Sequence, residues 1–200
     1  MAEISITTGL SALEKHFCQM HRIFYIATPN QALSAITKFD MELPVLEDGV
    51  GFDTGAASVN RIKITEGRTI CSNATQGDPS INFQVASIAG AINDLLMDKG
   101  TGTAATDTAI GGTIDGVTYK GKGYSLAPKK VTGALFMTSK DKKSAIYLPN
   151  VEMFSSFNGE GGDNTTGYYN VEVTPLADAN GAAFYPLLAD EGSTSSSSSE

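Results

Sequence analysis

Two hundred residues, 41 % of them hydrophobic, with 21 glycines and no tryptophan, describe an ordinary turn-rich chain with enough material for one sizeable core. A chain of this length buries about 70 % of its unfolded surface. No apolar run approaches the roughly 20 residues of a membrane-spanning helix, and a formal net charge of −8 argues against a protein that grips nucleic acid by its phosphates.

Met1-Ala2-Glu3 lacks the basic start of a secretory signal, and residues 4–8 alternate instead of forming an apolar block, so folding in a cytoplasm is expected. Cys18 and Cys71 make neither a disulfide framework nor a Cys-x-x-Cys metal site; they read as buried free thiols.

In chain order, residues 2–8 read as a short strand with Ile4 and Ile6 on one face. Ser11 and Glu14 have capping-box spacing, and Leu10, Leu13, Phe17 and Met20 fit a helical stripe, which supports a helix or helical turn over residues 11–19. From Arg22 a strand is equally compatible with the apolar run Ile23 to Ala27, and Pro29-Asn30 marks a turn. Residues 31–39 fit a second short helix. Residues 40–58 hold Pro44, Gly49, Gly51 and Gly55 among acids and read as an extended loop or arm.

Residues 61–65 alternate, with Ile62 and Ile64 expected inward and Arg61 and Lys63 outward; Ile70-Cys71 suggests a further strand and Gln76-Gly77-Asp78-Pro79 a turn. Ile81, Phe83 and Val85 alternate with Asn82 and Gln84, the period of a half-buried strand. The best helix follows at residues 87–98, where Ile88, Ala91, Ile92, Leu95 and Leu96 form one apolar stripe. Ser87 suits the N-cap, Lys99 the C-terminal dipole and Gly100 a left-handed stop, and Gly90 implies close packing against a sheet that the helix covers. Residues 101–112 read as a loop, and Asp115-Gly116 between β-friendly flanks predicts a type I′ hairpin.

The strongest pattern runs from Lys129 to Leu188. Residues 131–139 and 144–154 are β-friendly runs separated by the polar break Lys140-Asp141-Lys142-Lys143, which is a hairpin signal. Tyr169, Val171 and Val173 then alternate with Asn170, Glu172 and Thr174 up to Pro175. After a turn at residues 178–181, a last strand over residues 182–188 carries Pro186, which has no N–H to give and belongs on an edge. Residues 1–190 are therefore expected to form one β-rich domain, and the Ser-rich residues 191–200 a disordered tail.

Charge is segregated. Lys120, Lys122, Lys129, Lys130, Lys140, Lys142 and Lys143 are accompanied by the single acid Asp141, whereas residues 144–200 contain acids and no Lys or Arg. Asp40, Glu42, Glu47, Asp48 and Asp53 make a second acidic stretch. Opposite faces of this kind can stack copies head to tail, although a plain solvated surface carries the same pattern.

Chemistry-bearing constellations are scarce. His16 and His21 are five apart with no ligand set around them, Gly121-x-Gly123 and Gly159 to Gly162 lack the context of a phosphate cradle, and Asp94 with Asp98 reads as an exposed polar stripe. The turns with Asp178, or with Asp163 and Asn164, lack EF-hand spacing. No nucleophile, acid/base pair, cofactor or metal motif is present, so no enzyme, no cofactor and no metal are expected.

Gly77-Asp78-Pro79-Ser80-Ile81-Asn82-Phe83-Gln84-Val85 running straight into an amphipathic helix, the hairpin around residues 140–143, the ending Tyr169-Asn170-Val171-Glu172-Val173-Thr174-Pro175-Leu176-Ala177-Asp178 and the acidic Leu43-Pro44-Val45-Leu46-Glu47-Asp48-Gly49-Val50-Gly51-Phe52-Asp53 together resemble major tail (tail tube) proteins of long-tailed bacteriophages. The likeness covers most of residues 40–188. It implies an antiparallel β-sandwich or barrel-like fold flanked by one helix, with long loops, assembled into stacked hexameric rings whose lumen passes DNA without specific binding. Implied partners are copies of itself, a tape measure and a tail terminator, with no membrane, first in the host cytoplasm and then in the virion tail. Under this resemblance the subunit or ring contacts are expected at Asp40, Glu42, Glu47, Asp48, Asp53, Lys129, Lys130, Lys140, Lys142 and Lys143. The competing reading is a non-enzymatic β-sandwich binding module of a virion, a decoration or carbohydrate-binding component. Its stacking candidates are Tyr168, Tyr169, Phe154 and Phe157, with Tyr169 expected in the core.

Overall fold

The computed structural model describes residues 20–46, 50–63, 69–75, 77–86, 90–101, 110–159 and 167–189. The strand at 2–8, the helix at 11–19, Cys18, His16, Glu47, Asp48, Ile64, Gln76, Ser87, Asp163, Asn164 and the tail at 191–200 lie outside the described residues.

Among the described residues the fold is mainly β with one α-helix, and its strands pair antiparallel. In chain order the elements are β1 (Met20–Ile26), a 3₁₀ turn (Leu33–Ala35), β2 (Met41–Leu43), β3 (Gly51–Asp53), β4 (Ser58–Lys63), β5 (Thr69–Thr75) and β6 (Ser80–Ala86). Then come α1 (Gly90–Leu96), β7 (Asp98–Lys99), β8 (Ile110–Ile114), β9 (Val117–Gly121) and β10 (Tyr124–Ser125). The last four are β11 (Val131–Ser139), β12 (Ser144–Asn158), β13 (Tyr168–Pro175) and β14 (Tyr185–Leu188). The chain divides into two compact units: Met1–Glu47 with Thr132–Val151 and Leu176–Glu200, and Asp48–Val131 with Glu152–Pro175.

In the first unit the strand order is β2-β1-β11-β12, with β14 also on β12. Ile23 and Tyr25 lie opposite Met137 and Leu135, and Ile23 opposite Leu43, so this buried set shares one face. The other face carries Phe24 opposite Phe136 and Ile26 opposite Ala134. On that face Ile26, Ala134 and Tyr147 form a cluster joined by Ile36, Phe136, Tyr185 and Leu187. Phe39 stacks on Phe24 at 4.5 Å and on Phe136 at 5.5 Å.

That stacking explains why residues 31–39 make only one 3₁₀ turn instead of the expected helix. The Tyr147 hydroxyl donates to the Gln31 carbonyl at 2.7 Å, Asn30 N–H donates to Pro149 O, and Asp40 N–H returns to Tyr25 O. Backbone groups that a helix would need are spent on pinning the segment across the sheet.

In the second unit the order is β12-β13-β6-β3. Tyr169, Val171 and Val173 face Val85, Phe83 and Ile81 across β13 and β6, and all six are buried. The expected alternation therefore holds in both strands. Helix α1 buries Ile92 and Leu96. Tyr169 Oη is 3.0 Å from Asn93 Oδ1, and Ser155 Oγ donates to the Leu96 carbonyl at 2.7 Å, which seats the helix on the face carrying Tyr169.

The described helix is shorter than the expected 87–98 and ends before Gly100. After it the chain enters β7, and Gly100 N–H donates to Gly123 O at 2.9 Å. Gly90 does not mark close packing, because a Cβ there would meet nothing within 4 Å.

Among the described residues three strand pairs stand as separate two-stranded sheets: the short β7–β10 pair and the longer ribbons β4–β5 and β8–β9. The stretch 40–58 is not one arm: it supplies β2 to the first unit and β3 to the second. Strand β8 occupies the end of the expected 101–112 loop, and the last strand spans Tyr185–Leu188, with Pro186 opposite Ile146. Asp115 (φ 50°) and Gly116 (φ 80°) both adopt the left-handed region, as the I′ hairpin requires.

Candidate functional site

Of the eight described charged residues expected at subunit contacts, five are engaged within their own unit. Glu42 forms a two-pronged pair with Arg22, at 2.6 Å and 2.8 Å, and the guanidinium holds that carboxyl below its ordinary range. Asp40 accepts from Ala27 N–H and Asp53 from Gly55 N–H, both as loop staples. Lys130 pairs with Glu152, and Lys129 Nζ donates to the Asp94 carbonyl at 2.7 Å. Lys140, Lys142 and Lys143 remain together and exposed in the β11–β12 turn, where Lys142 has φ 59°. Asp141 braces that turn by accepting from Ser139 Oγ and Lys143 N–H, and those bonds lower its pKa.

Asp94 is not part of an exposed stripe. Its carboxylate binds Lys122 at 2.9 Å, Tyr124 Oη at 2.8 Å and Lys99 at 3.3 Å. The Lys122 bond, then that of Tyr124, hold its pKa at about 2. Burial, then the bond to Asp94, push the Tyr124 phenol to about 12. These partners come from segments 5 to 30 residues away, so no spacing in the sequence signals the cluster. Asp178 is likewise saturated, by Tyr185 Oη and by Asn180 and Ala182 N–H, as in an ordinary Asx turn.

The ribbon β8–β9 sorts its residues cleanly. Ile110, Gly112 and Ile114 lie opposite Gly121, Tyr119 and Val117, so one face is entirely apolar or glycine. Ile110, Ile114, Val117 and Tyr119 are each more than half exposed. The other face carries Gly111, Thr113, Thr118 and Lys120, with the two threonine hydroxyls 3.2 Å apart.

Ribbon β4–β5 is exposed throughout its described side chains. Ile62, expected inward, is 57 % exposed, and Cys71, expected buried, lies exposed beside it. The alternation there is real, but among the described residues the ribbon pairs with no strand of the main sheet that would bury it.

A third feature is an open groove of about 580 Å³ in the second unit, on the sheet face opposite Ile81, Phe83 and Val85. Asn82, Gln84, Asn170 and Glu172 form its middle, Phe154 and Ser156 one wall, and Gly51 the other. Of the aromatic candidates only Phe154 is there; Phe157 packs on Tyr169 at 5.2 Å, and Tyr169 is core, as expected. Among the described residues no three His, Cys, Asp or Glu side chains converge as a metal site, and no helix is long and apolar enough to cross a membrane. No protein-family model matches the chain, and no curated protein matches it either.

Proposed function

We propose that this chain is a structural subunit that joins copies of itself, as a tail tube protein assembling into stacked hexameric rings that conduct DNA, and that it catalyses no reaction. The observation that carries the proposal is the apolar face of the β8–β9 ribbon. A lone two-stranded ribbon is marginally stable in water, and one that presents Ile110, Ile114, Val117 and Tyr119 to solvent gains by burying them against a neighbour. Within each unit the described strand order also ends in a three-residue strand, β2 or β3, that a neighbouring strand can extend.

The exposed Lys140, Lys142 and Lys143 supply the basic side of a head-to-tail contact whose acidic side is the rest of a chain with net charge −8. An acidic conduit would also let DNA slide without adhering. In this reading the subunit is made in the host cytoplasm and ends in the virion tail, beside a tape measure and a terminator.

The test is sedimentation and negative-stain microscopy of the purified chain over a range of concentrations, and again after mixing with preformed assemblies. Rings or tubes are expected, and growth should stop when Lys140, Lys142 and Lys143 are all replaced by Glu. A chain that stays monomeric at every concentration and fails to add to preformed ends would overturn the proposal.

A further inference from the structure

We propose that the polar face of the second unit's sheet is a binding site for a neutral oligosaccharide. Asn82 lies directly opposite Glu172 across β6 and β13, and Gln84 directly opposite Asn170, so these four planar groups form a two-by-two array on one face. Their Cβ atoms stand about 5 Å apart across the strands and about 7 Å apart along them. Asn82 Nδ2 donates to Ser80 Oγ at 2.7 Å, which leaves its carbonyl oxygen for a ligand. Among the described residues, Gln84, Asn170 and Glu172 spend no side-chain hydrogen bond on the protein itself.

An amide both donates and accepts, and a carboxylate accepts twice, which is what adjacent sugar hydroxyls need. Phe154, 40 % exposed on the neighbouring strand, offers a ring for the C–H face of a pyranose. Gly51 lies opposite Asn82 on the far side, so no side chain from β3 fills the groove there.

Charge selects the occupant. Among the described residues that line it, the groove carries one carboxylate, Glu172, and no cation, in a chain of net charge −8, so nucleic acid and acidic polymers are repelled while an uncharged, hydroxyl-rich ligand is not. This inference does not rest on self-assembly, and the two readings can fail separately.

Calorimetric titration of the full chain with maltohexaose, cellohexaose and N-acetylchitohexaose, with polygalacturonate as the anionic comparison, tests it. At least one neutral sugar should bind, and Phe154→Ala should weaken that binding at least tenfold with an unchanged circular dichroism spectrum. Gly51→Leu is the second variant. A Cβ at this position meets only Asn82 O at 3.8 Å, so the backbone accommodates the side chain while the groove is obstructed, and a comparable loss is expected. No binding of any neutral sugar, binding that survives both substitutions, or a preference for polygalacturonate would overturn the proposal. Repeating the titration with the Ile114→Glu, Val117→Lys double variant, expected not to assemble, separates sugar binding from self-association.

Discussion

The ring of Tyr25 fills the space that a side chain on Gly133 would need: a Cβ at Gly133 would lie 2.5 Å from both Tyr25 Cε2 and the Ile26 carbonyl oxygen. The far end of the ring is tied down by its hydroxyl, which donates to Thr132 O at 2.8 Å. Burial, with a smaller contribution from the charge of Asp40, raises its pKa. Because the obstructing oxygen belongs to the backbone of β1, Gly133→Ala must push the strands apart, and a loss of ~2–3 kcal/mol is expected. Tyr25→Phe should cost about 1 kcal/mol, the usual net value of one hydrogen bond. Urea denaturation measures both, and a Gly133→Ala protein as stable as the parent would refute the contact.

Gly90 is the opposite case. With nothing within 4 Å of a Cβ and a helical backbone, Gly90→Ala should raise stability by about 0.5–1 kcal/mol. A loss in thermal unfolding would mean that the helix packs more tightly there than described.

The face of α1 is tested by a pair of truncations. Leu96 is 2 % exposed, so Leu96→Ala should cost about 2–5 kcal/mol, whereas Ala91 is exposed and Ala91→Ser should change stability by less than about 0.5 kcal/mol. Equal effects would contradict the one-sided seating of the helix.

Asp94 predicts a pH dependence with a definite sign. Its folded pKa, about 2, lies below the ordinary 3.8, so the stabilisation from Lys122, Tyr124 and Lys99 is fully present above pH 4 and is lost as pH falls toward 2. Asp94→Asn should cost roughly 1 kcal/mol at pH 7, a value kept small because the side chain is 24 % exposed and screened by solvent. The difference from wild type should shrink through the pH 4 to 2 window, and a constant difference would refute the ion cluster as its source. At the alkaline end the Tyr124 phenol should ionise late, near pH 12, and Tyr124→Phe should remove that late step from the 295 nm absorbance titration.

For the ribbon, Ile114→Glu combined with Val117→Lys should abolish higher assembly while leaving thermal unfolding nearly unchanged, because both residues are exposed in the isolated chain. Sedimentation and calorimetry on the same sample read the two effects. Assembly that persists would move the contact elsewhere.

A local period in the chain encodes an element and its two faces, and that much was legible before folding. Alternation in Ile81-Phe83-Val85 and Tyr169-Val171-Val173 became two buried, mutually paired strands, Asp115-Gly116 became a left-handed turn, and Ile92 with Leu96 became the buried side of the helix. Period names an element and its two faces, but not what lies against either face. Hence Ile62 and Cys71 turned outward on a ribbon that pairs with no other described strand, and residues 31–39 gave up helical bonds to lay Phe39 between Phe24 and Phe136. Tertiary structure alone also gathered Lys99, Lys122 and Tyr124 onto Asp94, and placed Asn82, Gln84, Asn170 and Glu172 side by side on one sheet. Those neighbours are joined by strand pairing between distant segments, and pairing partners are chosen by the burial of the whole chain, which no window of a few residues contains.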